Sequence, residues 1–398
     1  MNKKHSVSVA DLFGLIDEGY LTELSKELST DKWTSKLPVT YLFKLILFSL
    51  LQSERLSLRV MEANYKEPMF QVLAPALESD TVTWSGLRRR LMNVKVEFFQ
   101  RLYEHVYQQV AAVYEPEELS NYQLKRHDST MIASFSHLLE GMKVGNSSFG
   151  KTQVKFTTEL SGEFLIRMDF HSDQAHLSEE TALTESVLKG QWQTGDLHVF
   201  DRGLKSRVKF ADFEHQNIQF VTRLNEKSKY DVLHPNLAHQ GDWDTEELEF
   251  IQDCTVNLYK DGGKRVDTEF RLVEYWVKAK GYKILFVTNV WDLSPVEIAN
   301  IYKTRWDIEV LFRFLKQEMN LSHFVCNDRN AIQVMMYCTM IAAMLVLIYK
   351  QKNQIKSYKS AKIKFYKELF YTIMLDILEN PDELKRLKQN ILKLMKQE

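Results

Sequence analysis

The stretch "YKTRWDIEVLFRFLKQ", residues 302–317, carries the strongest pattern in the sequence and decides the expected fold. It places side chains of four different chemistries at spacings of three, four and seven residues: Tyr302, Arg305, Glu309 and Lys316. On a continuous α-helix, at ~100° per residue, these four share an arc of roughly 60° beside an apolar stripe. We therefore expect one wall of a helix to offer a phenol, a guanidinium, a carboxylate and an ammonium group to a ligand.

The residues just before this stretch predict where its helix begins. In "LSPVE", residues 293–297, Ser294 suits the N-cap, Pro295 suits the first helical position, and Glu297 completes a capping box. We expect one long helix that begins here and contains residues 302–317.

The composition is that of a globular protein with a basic C-terminal end. The chain has 398 residues, of which 44% are hydrophobic and 12% aromatic, enough for two or three domains. Its formal net charge is −1, but residues 316–398 carry 14 Lys and Arg against 8 Asp and Glu, a net charge of +6. The C-terminal segment is therefore the electropositive end of the chain.

Neither export nor membrane insertion is expected. The N-terminal stretch "MNKKHSVSVADLFGLI" lacks the apolar core of a signal peptide. The longest apolar run, residues 334–349, is shorter than the ~20 residues that span a bilayer and predicts a buried helix. The three cysteines show neither disulfide nor zinc-ligand spacing. We expect a soluble cytoplasmic protein with no membrane partner.

Residues 8–118 show a helical pattern that includes a basic segment. In "DTVTWSGLRRRLMN", Ser85 could cap a helix that carries three consecutive arginines: Arg88, Arg89 and Arg90. This arrangement is similar to the second helix of a helix-turn-helix, which enters the DNA major groove. The alternative is a solvated basic face with no ligand.

From residue 121 onward, strand-like segments alternate with helical ones. This alternation predicts an α/β fold in which helices cover a mixed sheet. Residues 229–283 form a second β-rich segment, with "KDGG" (residues 260–263) as a hairpin signal, and we interpret them as an insertion. The tail, residues 346–398, is helical and rich in lysine.

Two aspartates are placed where a helix-borne glutamate could meet them. Asp128 is expected to follow one strand and Asp201 to end another, at the edge where open sheets expose functional side chains. If Glu309 joins them, the three carboxylates need bound cations or strongly raised pKa values. Oxygen ligands without histidine or thiol favour Mg²⁺ or Mn²⁺. The alternative for each aspartate alone is a turn or cap residue.

The pattern Y-x2-R-x3-E-x6-K in residues 302–316 resembles the signature of the DDE transposases of bacterial insertion sequences, of the insertion-sequence-four type with the Tyr-Arg-Glu-Lys (YREK) signature. "HDST" around Asp128 and "VFDRG" around Asp201 resemble the two aspartate motifs of that family. The resemblance covers residues 120–345. It implies a ribonuclease H-like catalytic domain interrupted by a β-rich insertion, with helical N- and C-terminal regions.

The resemblance also implies a function. A cut-and-paste transposase binds the terminal inverted repeats of its element, pairs two ends as a homodimer, cleaves double-stranded DNA and joins 3′-OH ends to target DNA. By the resemblance, Asp128 and Asp201 hold one Mg²⁺ (or Mn²⁺) ion, and Asp128 and Glu309 hold a second. Two such ions suit phosphodiester cleavage and strand transfer, because they stabilise both the attacking and the leaving oxygen.

The remaining signature residues acquire roles from the same resemblance. Arg305 and Lys316 would contact DNA phosphates, and Tyr302 would hydrogen-bond one. The alternative is a surface ion pair between Arg305 and Glu309, which leaves Tyr302 and Lys316 unexplained. Trp306 either stacks on an unstacked base or packs in the core.

Three domains are expected: a helical DNA-end-binding domain (1–118), the catalytic domain (119–345) and a basic helical region for DNA contact or dimerisation (346–398). Two other functions remain open. One is a ribonuclease H-like nuclease without strand transfer, and the other is a catalytically inert DNA-binding regulator.

Overall fold

A computed structural model gives the fold of most of the chain. It describes residues 6–32, 34, 36–74, 82–113, 122–133, 142–143, 152–162, 164–190, 192–239, 241–260 and 263–395. Contacts between residues divide the chain into a first unit (1–115, 133–140 and 312–398) and a second unit (116–132 and 141–311). The expected domain boundary at residue 118 lies outside the described residues, and the three-domain division stays a prediction.

The N-terminal part of the first unit is helical, as the sequence predicts. Its helices are α1 (Val9–Phe13), α2 (Glu18–Glu27), α3 (Val39–Gln52), α4 (Leu58–Lys66), α5 (Pro68–Leu73), α6 (Trp84–Asn93) and α7 (Val96–Val113). Helix α3 is buried over most of its length, and Ser57 caps α4 after a short polar break. Burial of the apolar α3 gives this unit its central helix.

The N-cap of the basic helix α6 lies two residues earlier than the sequence suggested. Thr83, with extended backbone angles, is its N-cap, and its hydroxyl accepts a hydrogen bond from the backbone N–H of Gly86 at 3.2 Å. The prediction of Ser85 as the cap is therefore wrong. Both residue types cap helices well, and the backbone conformation at Thr83 decides between them.

The second unit is built on a mixed sheet. Its strands are β1 (Gln123–Ala133), β2 (Met142–Lys143), β3 (Thr152–Ser161), β4 (Phe164–His171), β5 (Asp196–Phe200), β6 (Gln219–Leu224), β7 (Tyr230–Pro235), β8 (Leu248–Tyr259), β9 (Arg265–Val277) and β10 (Tyr282–Thr288). Helices α8 (Glu179–Leu188) and α9 (Arg207–His215) follow β4 and β5.

The strand order is β2-β3-β1-β5-β6-β10-β9-β8-β7, and β4 pairs with β3. β5 is parallel to both β1 and β6, and β10 is antiparallel to β6. Every residue of β5 is buried, because its alternate side chains join two apolar clusters, one with Leu197 and Val199 and the other with Phe200. A central strand buried on both faces is typical of a sheet covered by helices. The expected α/β fold with a mixed sheet is confirmed.

The β-rich segment 229–283 extends this same sheet. β7, β8 and β9 lie beyond β10 in an antiparallel meander, and they share the sheet with the strands that carry Asp128 and Asp201. Of the "KDGG" hairpin signal, Asp261 and Gly262 lie outside the described residues, and β8 and β9 flank it on either side.

The opening stretch 302–317 is divided between two helices, α10 (Pro295–Lys303) and α11 (Trp306–Gln317). The capping box of Ser294 and Glu297 is confirmed at the start of α10. The prediction of one continuous helix is wrong at Thr304, whose hydroxyl donates to the Ile301 carbonyl at 2.7 Å. Arg305 N–H then bonds three residues back, to Tyr302 O at 3.1 Å, as in a tight turn. Arg305 therefore lies in a turn between two helices.

Three further helices complete the first unit: α12 (Arg329–Lys352), α13 (Tyr358–Glu379) and α14 (Pro381–Met395). An 18-residue window of α12 has the length and mean hydropathy of a membrane span, but 89% of that window is buried inside the protein. This burial agrees with the expectation of a buried helix over residues 334–349. The predicted lysine-rich tail is helical in α13 and α14.

Candidate active site

Asp128 and Asp201 occupy neighbouring positions on adjacent parallel strands. The pairing of β1 with β5 ends with His127 opposite Phe200, and Asp128 and Asp201 are the residues that follow these two in the chain. The expectation that Asp128 follows the end of its strand is wrong, because β1 continues to Ala133. β5, however, ends at Phe200, which leaves Asp201 at the carboxyl edge of the sheet beside Asp128.

Arg305 connects Asp128 to Glu309. Its Nη1 lies 3.7 Å from Asp128 Oδ2, and its Nη2 donates a hydrogen bond to Glu309 Oε1 at 2.7 Å. The ion pair of Arg305 with Glu309, considered above as an alternative, is therefore present. It is not an isolated surface pair, because the guanidinium is largely buried and also faces a buried aspartate.

A second arginine holds the turn that carries Arg305 against the sheet. Arg126, buried on β1, donates to Asp307 Oδ2 at 2.6 Å and to the Thr304 carbonyl at 3.2 Å. It precedes Asp128 by two residues on the same strand. This contact fixes the distance between the strand that carries one carboxylate and the helix that carries another.

Burial raises the pKa of the Asp128 carboxyl to about 7. The nearby carboxylates of Asp201 and Glu179 raise it further, whereas the Ser129 backbone N–H and the Arg305 guanidinium lower it. A desolvated carboxyl among other acids takes up either a proton or a cation at neutral pH. The arrangement therefore attracts positive charge.

Glu179 is a member of this site that the sequence reasoning missed. It is the first residue of α8, and its Oε1 accepts a hydrogen bond from the Ser129 hydroxyl at 3.3 Å. Its Oε2 also faces Gly203, whose backbone N–H donates to Asp201. In the sequence, Glu179 stands after the helix N-cap Ser178, where acidic residues are common for reasons of helix stability alone. No pattern in one sequence separates it from Glu180.

The other signature residues differ in their surroundings. Tyr302 is partly buried against Phe286, with ring centroids 5.3 Å apart, and the Arg305 guanidinium carbon lies 5.9 Å from its ring centroid. Burial raises the pKa of the Tyr302 phenol. Trp306 is 54% exposed, so core packing does not explain it. Lys316 lies in the last turn of α11.

The three arginines of α6 do not form one exposed face. Arg88 and Arg89 are exposed, but the Arg90 guanidinium pairs with Asp31 and donates to the carbonyls of Thr30 and Leu37. Arg90 thus holds α6 to the segment before α3.

The donor set of the site suits a hard cation. Asp128, Asp201, Glu179 and Glu309 offer only carboxylate oxygens, the ligands that Mg²⁺ and Mn²⁺ prefer. A positively charged guanidinium already lies between two of them. A separate group of candidate ligands, His171, His176 and Glu185, contains imidazoles, and its carboxylate also pairs with Lys189.

Comparison with known proteins gives relatives of one kind. The protein y4zB of Sinorhizobium fredii (strain NBRC 101917 / NGR234), named a transposase, is 29% identical over 163 residues, which is 41% of this chain and 45% of that protein. A protein of Geobacillus stearothermophilus, named a transposase for insertion sequence element IS5377, is 31% identical over 93 residues, 23% of this chain and 25% of that protein. The chain thus spans less than half the length of these relatives.

A solved structure has a similar fold. The piggyBac transposase in a synaptic complex with hairpin DNA superposes with a TM-score of 0.52 at 10% sequence identity, covering 98% of this chain and 85% of that one. At this identity the likeness concerns the fold alone, which is ribonuclease H-like.

A family model supplies the assignment. The model described as a transposase DDE domain matches residues 123–345, a range that includes Asp128, Asp201 and Glu309. The insertion-sequence-four subtype and its Tyr-Arg-Glu-Lys signature stay predictions. Because the match covers more than half of the chain, the protein belongs to the family of transposases with a DDE domain.

Proposed function

We propose that this protein is a cut-and-paste DNA transposase. It binds the terminal inverted repeats of its element, cleaves phosphodiester bonds at their ends and joins the resulting 3′-OH ends to target DNA. One observation carries the proposal: Asp128 and Asp201 are neighbours on adjacent strands, and Arg305 links Asp128 to Glu309. The family assignment supports the same reaction class.

Asp128, Asp201 and Glu309 are the proposed catalytic residues and metal ligands. The group they would hold is a pair of Mg²⁺ or Mn²⁺ ions, which supply Lewis acidity and an activated nucleophile for phosphodiester chemistry. Asp128 is central in this assignment, since it faces both Asp201 and the pair of Arg305 and Glu309. The carboxylates bind and orient, and no covalent protein intermediate is needed.

Arg305, Tyr302 and Trp306 are the proposed contacts to the DNA near the cleaved bond. The Arg305 guanidinium, which contacts Asp128 and Glu309, has planar donors that suit a phosphate. Tyr302 already lies beside Arg305, and the exposed indole of Trp306 can stack on an unpaired base. We propose Lys316 as a further phosphate contact.

We propose that the helical N-terminal region, residues 1–118, binds the DNA end. A groove of about 580 Å³ in this region is lined by the N-terminal turn of α6 and by five basic side chains: Lys32, Lys36, Arg89, Arg90 and Lys95. Basic side chains and a helix N-terminus both attract phosphate. We propose that Arg88 and Arg89, which are exposed on α6, contact bases in the major groove of the DNA.

The remaining assignments complete the proposal. Residues 119–345 are the catalytic domain with its β-rich insertion, and residues 346–398 are a basic region for DNA contact or dimerisation. A homodimer would pair two element ends. The protein would act in the cytoplasm, on the nucleoid when bound to DNA.

Strand transfer is the decisive test. Purified protein, Mg²⁺, pre-cleaved 3′-OH element ends and a supercoiled target should give joined products. Nicking without joining would instead support a nuclease of the same fold.

Glu309→Gln tests the site directly. We expect near-normal end binding with cleavage abolished, and Glu247→Gln is the matched control, because Glu247 is an exposed partner of Lys303. End binding without any cleavage by the unaltered protein would support an inert regulator. Full cleavage by Glu309→Gln would remove Glu309 from the site.

A further inference from the structure

We propose that Glu179 is a fourth carboxylate ligand of the active site. It would bind the same cation as Asp128 and Asp201. This inference rests on the proposed function, because it concerns the same metal site. It adds a residue that lies between the two aspartates in sequence and on a different element, the N-terminus of α8.

The first observation is the space around Gly203. A Cβ placed on Gly203 would lie 2.6 Å from Glu179 Oε2 and 2.7 Å from Asp201 Oδ1. Both carboxylates therefore point into one small volume, which exists because residue 203 has no side chain. Two acids that share such a volume repel each other unless a proton or cation lies between them.

The second observation is the link to Asp128. The Ser129 hydroxyl donates to Glu179 Oε1 at 3.3 Å, and the Ser129 backbone N–H donates to Asp128 Oδ1 at 2.7 Å. One residue thus holds both carboxylates in place.

A purely structural role would be stabilisation of the α8 N-terminus. An acidic residue in the first helical turn stabilises the helix dipole, and Glu180 is equally placed to do so. Helix stabilisation does not explain why Glu179 shares the Gly203 space with Asp201. Glu180 is therefore a matched control, with the same chemistry in the same helical turn.

Metal binding without DNA separates the two roles. Mn²⁺ is titrated into the protein and followed by calorimetry, for the unaltered chain and for Glu179→Gln, Glu180→Gln and Asp201→Asn. We expect about a tenfold loss of Mn²⁺ affinity for Glu179→Gln and no change for Glu180→Gln. Cleavage by Glu179→Gln should need correspondingly more Mn²⁺ for half-maximal rate and recover at high Mn²⁺.

Gly203→Ala gives an independent test that leaves every charge in place. The added methyl group would force the Glu179 and Asp201 carboxylates apart, so we expect a similar loss of Mn²⁺ affinity.

The outcomes distinguish the two proposals. If Glu179→Gln and Gly203→Ala bind Mn²⁺ like the unaltered protein while Asp201→Asn does not, Glu179 is structural and this inference is overturned. If Asp201→Asn also binds normally, the metal site of the proposed function itself is wrong.

Discussion

The Arg305 guanidinium partly neutralises two carboxylates of the candidate active site. It contacts both Asp128 and Glu309, the two carboxylates proposed to share an ion. A guanidinium and a divalent ion cannot both bind the same carboxylate oxygens at full strength. Arg305 therefore competes with a divalent ion for Asp128 and Glu309. The same residue would then have to change partner when metal and DNA bind.

Arg305→Gln should therefore have opposite effects on metal binding and on cleavage. We expect Mn²⁺ affinity of the DNA-free protein to rise about tenfold, because a competing positive charge is lost. Cleavage should fall on the order of 10²-fold, because the proposed donor to the reacting phosphate is lost. Calorimetry and an end-cleavage assay measure the two effects, with the exposed Arg313→Gln as control. Weaker Mn²⁺ binding in Arg305→Gln would show that no competition exists.

Two buried histidines beneath the site make stability depend on pH. His127 Nε2 lies 2.9 Å from His198 Nδ1, and burial lowers the pKa of both, to about 3 for His198. The folded rings stay neutral, whereas unfolded histidine takes up a proton below its ordinary pKa of about 6.5. The unfolded state thus binds more protons as the pH falls below about 6.5, and the free energy of unfolding decreases.

At pH 5.5 each such histidine should lower the free energy of unfolding by about 1.4 kcal/mol relative to pH 7.5. His198→Asn should reduce that pH-dependent loss by about this amount, whereas the exposed His215→Asn should not. Urea unfolding at the two pH values measures the difference. An unchanged pH dependence in His198→Asn would contradict the neutral buried ring.

The sequence singled out the acids that lie in distinctive motifs, and their assignment as metal ligands stays a prediction. Asp201 ends an apolar strand and Glu309 lies in a spaced signature, so both could be singled out. Glu179 could not, because its proposed role depends on the space beside Gly203 that it shares with Asp201 and on its hydrogen bond with Ser129, which only the fold creates.

A buried ion pair between β8 and β9 also binds the segment just before α10. Arg271 on β9 donates to both oxygens of Asp253 on β8, and its Nη1 donates to the carbonyls of Val290 and Leu293, just before the Ser294 cap. Both side chains of the pair are almost completely buried. The segment that leads to Tyr302 is therefore anchored by the β meander.

Arg271→Met should destabilise the protein by about 3–5 kcal/mol, because it leaves the buried Asp253 carboxylate without its arginine. Arg271→Met combined with Asp253→Leu should recover part of that loss, since no charge then remains buried. Urea unfolding followed by tryptophan fluorescence measures both. If the single and double variants were equally unstable, the loss would come from packing rather than from the orphaned charge.

Local sequence patterns predicted some boundaries of the helices and strands, whereas other boundaries depend on tertiary contacts. Capping chemistry predicted the start of α10, and alternation predicted β8 and β9. The break at Thr304 could not be predicted, because the apolar periodicity continues through it. Arg126, distant in sequence, binds the Thr304 carbonyl and Asp307 and so holds the turn.

The basic C-terminal segment, residues 316–398, contains both buried and exposed lysines. Lys362 is buried, and its ammonium donates to the carbonyls of Ser53 and Glu318, so it stabilises the first unit. Lys356, Lys359 and Lys364 are exposed. The net charge of the segment therefore overstates the charge it can offer to DNA.

The exposed lysines of this segment should determine part of the salt dependence of DNA binding. Each lost phosphate contact reduces the magnitude of the slope of log K against log [salt] by about 0.9. If Lys356, Lys359 and Lys364 all contact DNA, replacing the three with Gln should therefore reduce the magnitude of this slope by about 2.7. Fluorescence anisotropy with an element end, between about 50 and 200 mM salt, measures the slope. Lys264→Gln, an exposed lysine between β8 and β9, is the control. An unchanged slope with a weakened dimer would assign the segment to subunit contact instead, because dimer contacts release no DNA counterions.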